Sequence, residues 1–389
     1  MKPLHVLVLT SAISQFAFLL AQFTLLLYVL HLQVSPTVAG LLVSLGGLGP
    51  AIIAVGIGKF IDRRGGRSPM LLALIGQIAG AILPLVWDGI PILFLASFIN
   101  GTAFIIFRVG AQQAIGRTGP AASRAANYSL LGLGYSAASI AAPLFGGFSI
   151  EHVGHLPTCI ASALLVLIPL GFIATGTLQI PGPAMAAGSA AGHAGSAFAL
   201  LAEPTLRRVF ITTVLINGAW DVFMFLVPLY GSQLHFSASQ IGLLSGSFAG
   251  GSLFIRAVTA LLLRCFSPWQ ILIMALALSG LSFASYPLLG TIAALIAVAF
   301  IAGMGMGVAL PITISLAFDA APPERAGEVI GLRLSLSMAS AATLPLLCGA
   351  LGAAFGIAIV YWIEGTALLC GAWLNRMQWR HRRAGSATA

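Results

Sequence analysis

The chain has 389 residues, of which 59% are hydrophobic and only 7% are charged, and its formal net charge is +9. A soluble protein of this length cannot bury so large an apolar fraction, because its surface is too large relative to its core. The composition therefore excludes an ordinary soluble protein, including the soluble nucleic-acid-binding class that the positive charge would otherwise suggest.

Apolar runs of about 20 residues recur along the whole chain, and this is the length that crosses a bilayer as a helix. In chain order the sequence predicts twelve spans, at Val6–Leu30, Val38–Ile57, Pro69–Val86, Ile92–Ile115, Ala126–Ile150, Pro157–Thr177, Val209–Tyr230, Ile241–Leu263, Ile271–Leu289, Ile292–Ala317, Val329–Leu351 and Phe355–Leu374. The first run is longer than a signal-peptide core and no small-residue cleavage site ends it, so we expect it to be retained. The pattern predicts an all-α membrane protein with twelve transmembrane helices.

The basic residues favour one side of this arrangement. With the N-terminus inside, fifteen of the 18 Lys and Arg residues fall on the inner side, namely Lys2, Lys59, Arg63, Arg64, Arg67, Arg117, Arg124, Arg207, Arg208, Arg264, Arg325, Arg376, Arg380, Arg382 and Arg383. The other three fall within spans. Because cytoplasmic loops retain Lys and Arg, this asymmetry predicts a multi-pass protein of the cell inner membrane with cytoplasmic N- and C-termini.

One long break, at residues 178–205, separates the sixth and seventh spans. It is rich in Ala, Gly, Ser and Pro and carries little charge, a composition typical of a flexible linker. The sequence therefore predicts four parts: an N-terminal six-helix bundle at 1–177, a cytoplasmic linker at 178–205, a C-terminal six-helix bundle at 206–375 and a basic cytoplasmic tail at 376–389.

The two halves of the chain resemble each other. The stretch SPTVAGLLVSLGGLG from Ser35 matches SASQIGLLSGSFAGG from Ser237 at an offset of 202 residues (237 minus 35), and Gly101 matches Gly303 at the same offset. A third match joins spans 5 and 11 at an offset of 201. Spans 1–6 therefore repeat as spans 7–12 in the same orientation, which is an architecture of secondary transporters.

A charged stretch, GKFIDRRGGR at 58–67, separates the second and third spans. It resembles the loop signature of the major facilitator superfamily, G-x-L-a-D-R-x-G-R-K, through Gly58, Asp62, Arg63, Gly65 and Arg67. With the twelve spans, the linker and the repeat, the resemblance covers essentially the whole chain. It implies the superfamily fold of two parallel-repeat six-helix bundles and a monomeric secondary transporter.

The resemblance also implies a cytoplasmic gate at this loop. Asp62 is expected to face Glu328 at the inner end of span 11 and an arginine of the 4–5 region, Arg117 or Arg124. Such contacts would latch the cytoplasmic side shut in the outward-open state. Alternatively, the charge of the loop only fixes the topology.

A stretch of span 5, SAASIAAPLFGG, resembles a motif of antiporters in the same superfamily. Pro143, Gly146 and Gly147 match that motif, whereas Ala138 and Ala142 stand where glycine is usual. The resemblance favours antiport, and a kinked helix packed through small residues is the alternative interpretation.

Charges inside the membrane are costly and are usually functional. The acids are Asp221 and Glu364, and both are candidates for proton coupling. Asp221 is the stronger candidate because it lies in the middle of span 7, which lines the central cavity in this superfamily. Its alternative role is that of a structural partner for a buried arginine, and Glu364 lies in span 12, which usually packs outside the cavity.

The intramembrane arginines, Arg108, Arg256 and Arg333, remain cationic, and each is either an anchor for an anion or a structural ion-pair partner. Arg256 is interpreted as part of a structural ion pair. Arg333 replaces Gly132 of the first half and is a candidate for substrate contact. The complete set of predicted substrate-binding residues is Gln15, Gln22, Arg108, Tyr135, Asn217, Trp220 and Arg333. Ordinary helix packing is the alternative for the two aromatic rings.

Nucleotide-binding, zinc-protease and hydrolase motifs are absent from the sequence, so we expect neither an enzyme nor a bound metal or cofactor. The sequence predicts a proton-coupled antiporter that exports a small organic molecule by alternating access, with protons and the lipid bilayer as its other partners and no nucleic acid. Proton-coupled uptake of an organic anion is the alternative. A channel or a membrane-embedded enzyme is the rival from another class.

Overall fold

The computed structural model describes residues 3–87, 89–118, 123–178, 180, 200, 202–321 and 325–387. Within these ranges, twelve helices are long and apolar enough to cross a membrane, as predicted. They are α1 (Pro3–His31), α2 (Pro36–Arg64), α3 (Arg67–Val86), α4 (Ile90–Gly116), α5 (Arg124–Val153), α6 (His155–Ala174), α7 (Pro204–Gln233), α8 (Ala238–Cys265), α9 (Pro268–Ser285), α10 (Ile292–Ala320), α11 (Ala326–Phe355) and α12 (Ile357–Ala387). A short 3₁₀ turn, Tyr286–Leu288, follows α9.

Three tight connections depend on glycine. Gly65, Gly154 and Gly356 link α2 to α3, α5 to α6 and α11 to α12, with φ angles of 84°, 91° and 91°. Glycine lacks a Cβ and adopts such positive φ values without a steric penalty. Gly154 and Gly356 are 202 residues apart, so the repeat seen in the sequence has the same turn in both halves.

The same repeat appears in the packing of the helices. A methyl group added to Gly101 of α4 would collide with the carbonyl oxygen of Gly46 in α2. A methyl group added to Gly303 of α10 would collide with the carbonyl oxygen of Phe248 in α8. Both residues of the second pair lie 202 positions after their counterparts, so the same glycine-mediated helix crossing is built twice.

The first compact unit comprises residues 1–192 and 231–246. Its apolar core is formed by buried side chains of α1, α3, α4 and α6, including Leu7, Met70, Phe107 and Val166. Leu178, just after α6, is only 3% exposed and joins this core. The start of the predicted linker is therefore part of the packed structure, whereas most of the linker lies outside the described residues.

In the first unit, α5 also packs against the beginning of α8. Gly147 approaches the backbone of α8, and Gly242 approaches the carbonyl oxygen of Pro143, so closely that a methyl group at either glycine would collide. The Glu151 carboxylate accepts a hydrogen bond from the backbone N–H of Ser239 at 3.0 Å. This acid therefore supplies an acceptor for one of the unpaired N–H groups at the start of α8.

The second compact unit comprises residues 193–230 and 247–389, and its core is aromatic. The Phe223 ring stacks on Phe248 with a centroid separation of 4.5 Å, and Tyr286 stacks on Tyr361 at 5.0 Å. Phe283 lies between them, 5.5 Å from Phe223 and 5.7 Å from Tyr361. All five rings are fully buried, so they fix the packing of α7, α8, α9 and α12 around the polar residues described next.

Candidate functional site

A hydrogen-bonded pair joins α7 and α11 in the second unit. The Asn217 Nδ2 atom donates to the Ser337 Oγ atom at 3.0 Å. The Ser337 hydroxyl in turn donates to the backbone oxygen of Arg333, one turn earlier in α11, at 3.1 Å. Two predicted site residues, Asn217 and Arg333, are thus brought into one polar network.

The two charged residues of this region lie on opposite sides of that pair. Asp221 follows Asn217 by one turn of α7, and Arg333 precedes Ser337 by one turn of α11. Because successive spans alternate in direction, α7 and α11 run the same way. The α-helical rise per residue then separates Asp221 and Arg333 by about 12 Å along the helix axes. We call the set Arg333, Ser337, Asn217 and Asp221 the polar column.

The two charges of the polar column are not compensated by each other. Asp221 is half-buried and makes no hydrogen bond or ion pair with another described residue. Arg333 is 7% exposed, and neither its Nε nor its Nη1 atom has a hydrogen-bond partner. The interpretation of Asp221 as the partner of a buried arginine therefore has no support in the described part of the chain.

Trp220, the neighbour of Asp221, packs into the aromatic core. Its ring meets Phe248 edge-on, with a centroid separation of 4.7 Å and an interplanar angle of 67°. This contact fits the packing interpretation that the sequence had left open. Because the ring remains half-buried, the part that Phe248 does not cover is still accessible.

In the first unit, Arg108 of α4 lies among aromatic rings. Its guanidinium carbon is 5.4 Å from the centre of the Tyr135 ring and 6.0 Å from the centre of the Phe104 ring. Phe104 is stacked in turn on Phe18 at 4.1 Å. The Tyr135 hydroxyl is buried without a hydrogen-bond partner. A cation held by ring faces rather than by a carboxylate keeps its full charge for a ligand.

The two glutamines of span 1 have different surroundings. Gln22 is paired with Ser97 of α4, whose hydroxyl donates to its side-chain oxygen at 3.0 Å. Gln15 is 9% exposed, and its Oε1 atom has no hydrogen-bond partner. Gln22 therefore joins two helices, whereas Gln15 keeps an acceptor that a substrate could use.

The predicted gate is described only in part. The side chains of Gly58, Asp62 and Arg63 lie outside what the structure describes, so the Asp62 contacts stay a prediction. The Arg67 guanidinium donates to the backbone oxygen of Ala174, at the end of α6, at 3.0 Å. This bond ties the loop that begins at Gly65 to the segment leading into the linker.

The other predicted gate residues lie at helix starts. Glu328 forms an ion pair with Arg325, three residues before it, at 2.7 Å. Arg124 is exposed at the first residue of α5. The Arg325 contact occupies the carboxylate that was predicted to face Asp62, so a latch through Glu328 would have to share or exchange this partner.

Arg256 and Glu364 are the remaining charged residues within the predicted membrane spans. The Arg256 Nε atom donates to the backbone oxygen of Gly307 in α10 at 3.4 Å, so a carbonyl group is one of its partners. Glu364 is half-buried in α12 and has no hydrogen bond or ion pair with any residue that the structure describes. The predicted ion pair of Arg256 stays a prediction.

Two residues that make contacts between helices, Ser337 and Glu151, were not among the predicted site residues. Ser337 carries the contact between Asn217 and α11, and its spacing of four residues from Arg333 was the signal that could have identified it. Glu151 binds the start of α8, and its place beside the last turn of a span was the only available hint. Neither contact follows from the sequence of one helix alone.

Comparisons with known proteins agree on one family. A family model described as the Major Facilitator Superfamily matches residues 7–343 and 209–387 of the chain. The multidrug resistance proteins MdtG of Salmonella choleraesuis (strain SC-B67) and Salmonella typhi are 26% identical over 362 residues. Those alignments cover 89% of this chain and 86% of each relative.

Solved structures show the same fold at low sequence identity. A POT family transporter in complex with a thioalcohol-conjugated peptide superposes with a TM-score of 0.80 at 16% identity, covering 95% of this chain and 94% of that one. The nucleoside transporter NupG has a TM-score of 0.77 at 14% identity, with 96% and 99% covered. A bacterial homologue of the lysosomal transporter Spinster has a TM-score of 0.75 at 15% identity, with 97% and 96% covered.

Proposed function

Because this chain belongs to the Major Facilitator Superfamily, it is a multi-pass membrane transporter and not an enzyme, and we propose that it exports a small organic molecule by proton-coupled antiport. The observation that carries the proposal is Asp221, a half-buried acid in the middle of α7 that lacks a compensating cation among the described residues. Such acids within membrane helices serve as proton relays in pumps and transporters. The relatives named for multidrug resistance support export of an organic molecule.

In this proposal, proton and substrate exchange at the polar column. The ionised form of Asp221 favours bound substrate, and protonation of Asp221 favours its release to the outside. The proton then leaves on the cytoplasmic side, where it makes room for the next substrate molecule. Glu364 is a second candidate for the same coupling, and alternating access moves the site from one side of the membrane to the other.

We further propose that the chain lies as a monomer in the inner membrane with both termini in the cytoplasm. The concentration of basic residues on one side of the twelve spans supports this orientation. The charged stretch at 58–67, with Gly58, Asp62, Arg63, Gly65 and Arg67, would then face the cytoplasm and act as the inner gate. The bond between Arg67 and Ala174 anchors one end of that stretch.

The test compares Asp221→Asn with the intact protein in proteoliposomes. A thermal-shift screen against drugs, sugars, organic anions and metabolites first selects the compound that stabilises the protein most, and its flux is then followed under an imposed pH gradient. Wild-type flux should respond to the gradient, and Asp221→Asn should lose that response while still binding the compound. Asp319→Asn is the matched control, because Asp319 is exposed at the end of α10. A variant at Asp221 with unchanged pH dependence would refute the role of Asp221.

Proton-coupled uptake of an organic anion is the second candidate function. It is favoured by Arg333, a buried cation whose Nε and Nη1 atoms have no partner. The direction of flux separates the two proposals in the same vesicles. An inwardly directed proton gradient drives substrate out of the vesicle in antiport and into the vesicle in symport.

A further inference from the structure

Arg333 differs from the other arginines of the second unit in how its charge is accommodated. Arg208 donates to the backbone oxygen of Asn375 at 3.1 Å and lies 4.2 Å from the centre of the Trp269 ring. Arg256 donates to a backbone oxygen, and Arg325 is paired with Glu328. Arg333 is only 7% exposed, and its Nε and Nη1 atoms have no hydrogen-bond partner.

A buried guanidinium in this condition is costly for the folded protein. An arginine does not lose its proton, so the charge cannot be avoided by neutralisation. Leaving a buried charge unpaired is strongly destabilising, and native structures rarely keep such groups without a function. We therefore expect the Arg333 guanidinium to bind an anion that does not belong to the chain.

The repeat indicates that the fold itself does not need a cation at this position. The helices α5 and α11 are both 30 residues long and begin 202 residues apart, so Arg333 takes the place of Leu131 and not of Gly132, as the sequence match had suggested. Leu131 is 3% exposed and belongs to the apolar core of the first unit. Because the first half fills this place with an apolar side chain, the charge of Arg333 is not required by the fold and is available for binding.

We propose that Arg333 is the anion subsite of the transporter, and that the exported molecule carries a carboxylate, sulfonate or phosphate group that seats on its guanidinium. The planar donors of arginine bind such groups through two parallel hydrogen bonds. The nearby Asn217–Ser337 pair offers neutral polar contacts one turn away. The proposal rests on the proposed transport function and specifies its substrate class as a zwitterion, because an exported anion without a cationic group would be repelled by the ionised Asp221 of the same column.

The experiment measures binding rather than transport, so it can fail or succeed independently of the proposed function. The purified full-length protein in neutral detergent is titrated with naphthoate, naphthalenesulfonate and phenyl phosphate, and with uncharged naphthamide. At least one of the anions should raise the thermal midpoint, whereas naphthamide should not. The Arg333→Gln variant should weaken the apparent affinity for that anion by at least about tenfold.

Two controls separate a binding role from a structural one. Arg264→Gln removes the same charge at an exposed position at the end of α8 and should keep the anion effect. Without ligand, Arg333→Gln should be as stable as the wild type or more stable, because it removes an uncompensated buried charge. A marked loss of ligand-free stability in Arg333→Gln, or anion binding that survives this substitution, overturns the proposal.

A final arm identifies the source of the anion. Anionic phosphatidylglycerol and neutral phosphatidylcholine are added in place of the organic anions. If only phosphatidylglycerol stabilises the protein through Arg333, the subsite holds a lipid headgroup and the substrate assignment is wrong. If none of the anions stabilises the wild type, the assignment is likewise wrong. Arg333-dependent binding of an organic anion without pH-driven flux would leave the subsite intact and remove proton coupling instead.

Discussion

Gly303 shows how a single residue sets the distance between two helices. Its Cα lies against the carbonyl oxygen of Phe248, and the equivalent contact in the first half joins Gly101 to Gly46. In membranes, where lipid tails are as apolar as the helices, such close backbone approach is a main source of helix association. The crossing of α10 and α8 therefore depends on the absence of a side chain at this position.

Gly303→Ala should consequently destabilise the protein, because the added methyl group must push α10 away from α8. Overpacking of this kind costs about 1–3 kcal/mol, which should appear as a lower thermal midpoint in detergent. Gly331→Ala is the matched control, since a methyl group there meets no atom within 4 Å. It should leave the midpoint unchanged or raise it, because alanine is the better helix former. An equal drop of the thermal midpoint in both variants would contradict the packing role of Gly303.

At the residue scale, the sequence revealed the polar groups but not their pairing. Asp221, Asn217 and Arg333 are conspicuous because they stand in apolar runs, and helical spacing places Asn217 and Asp221 on one face. The bond from Asn217 to Ser337 joins residues 120 positions apart and depends on the rotation and crossing of two helices. Neither quantity can be read from spacing within one helix, so the missing partner of Arg333 was not foreseeable.

At the scale of the helices, α8 and α9 begin with the same arrangement of capping hydrogen bonds. Ser237 and Gln240 exchange hydrogen bonds at the start of α8, with donor–acceptor distances of 2.9 and 3.3 Å. Ser267 and Gln270 do the same at the start of α9, at 2.9 and 3.4 Å. Each pair is a capping box, in which the serine and the glutamine satisfy two N–H groups that the helix leaves unpaired.

Ser267→Ala should lower stability by about 1 kcal/mol, because it removes the acceptor for the N–H of Gln270 at a partly buried helix start. Ser35, the first-half counterpart of Ser237, makes no side-chain capping bond at the start of α2. Ser35→Ala should therefore change the midpoint of thermal unfolding less than Ser267→Ala does. A larger effect at Ser35 would show that the capping bond of Ser267 contributes little.

The elements themselves were largely predictable, since a run of apolar residues long enough to span the bilayer has few alternatives to a helix. The twelve predicted spans correspond to α1–α12, and the predicted family is confirmed. The helix ends were less accurate. The second predicted span ends at Ile57, whereas α2 continues to Arg64, because polar residues remain helical where the chain leaves the membrane. The apolar run marks the buried part of a helix rather than its full length.

At the scale of the whole molecule, the twelve spans place residues near both ends of the chain on the same side of the membrane, and the basic residues decide which side. We predict that green fluorescent protein fused after Ala389 is fluorescent and that alkaline phosphatase fused there is inactive, since the phosphatase folds only outside the cytoplasm. Phosphatase inserted after His235, in the connection between α7 and α8, should be active. Using both reporters controls for expression, because at each site one reporter should be active and the other inactive. The reverse pattern would place the fifteen loop cations outside and refute both the orientation and the cytoplasmic gate.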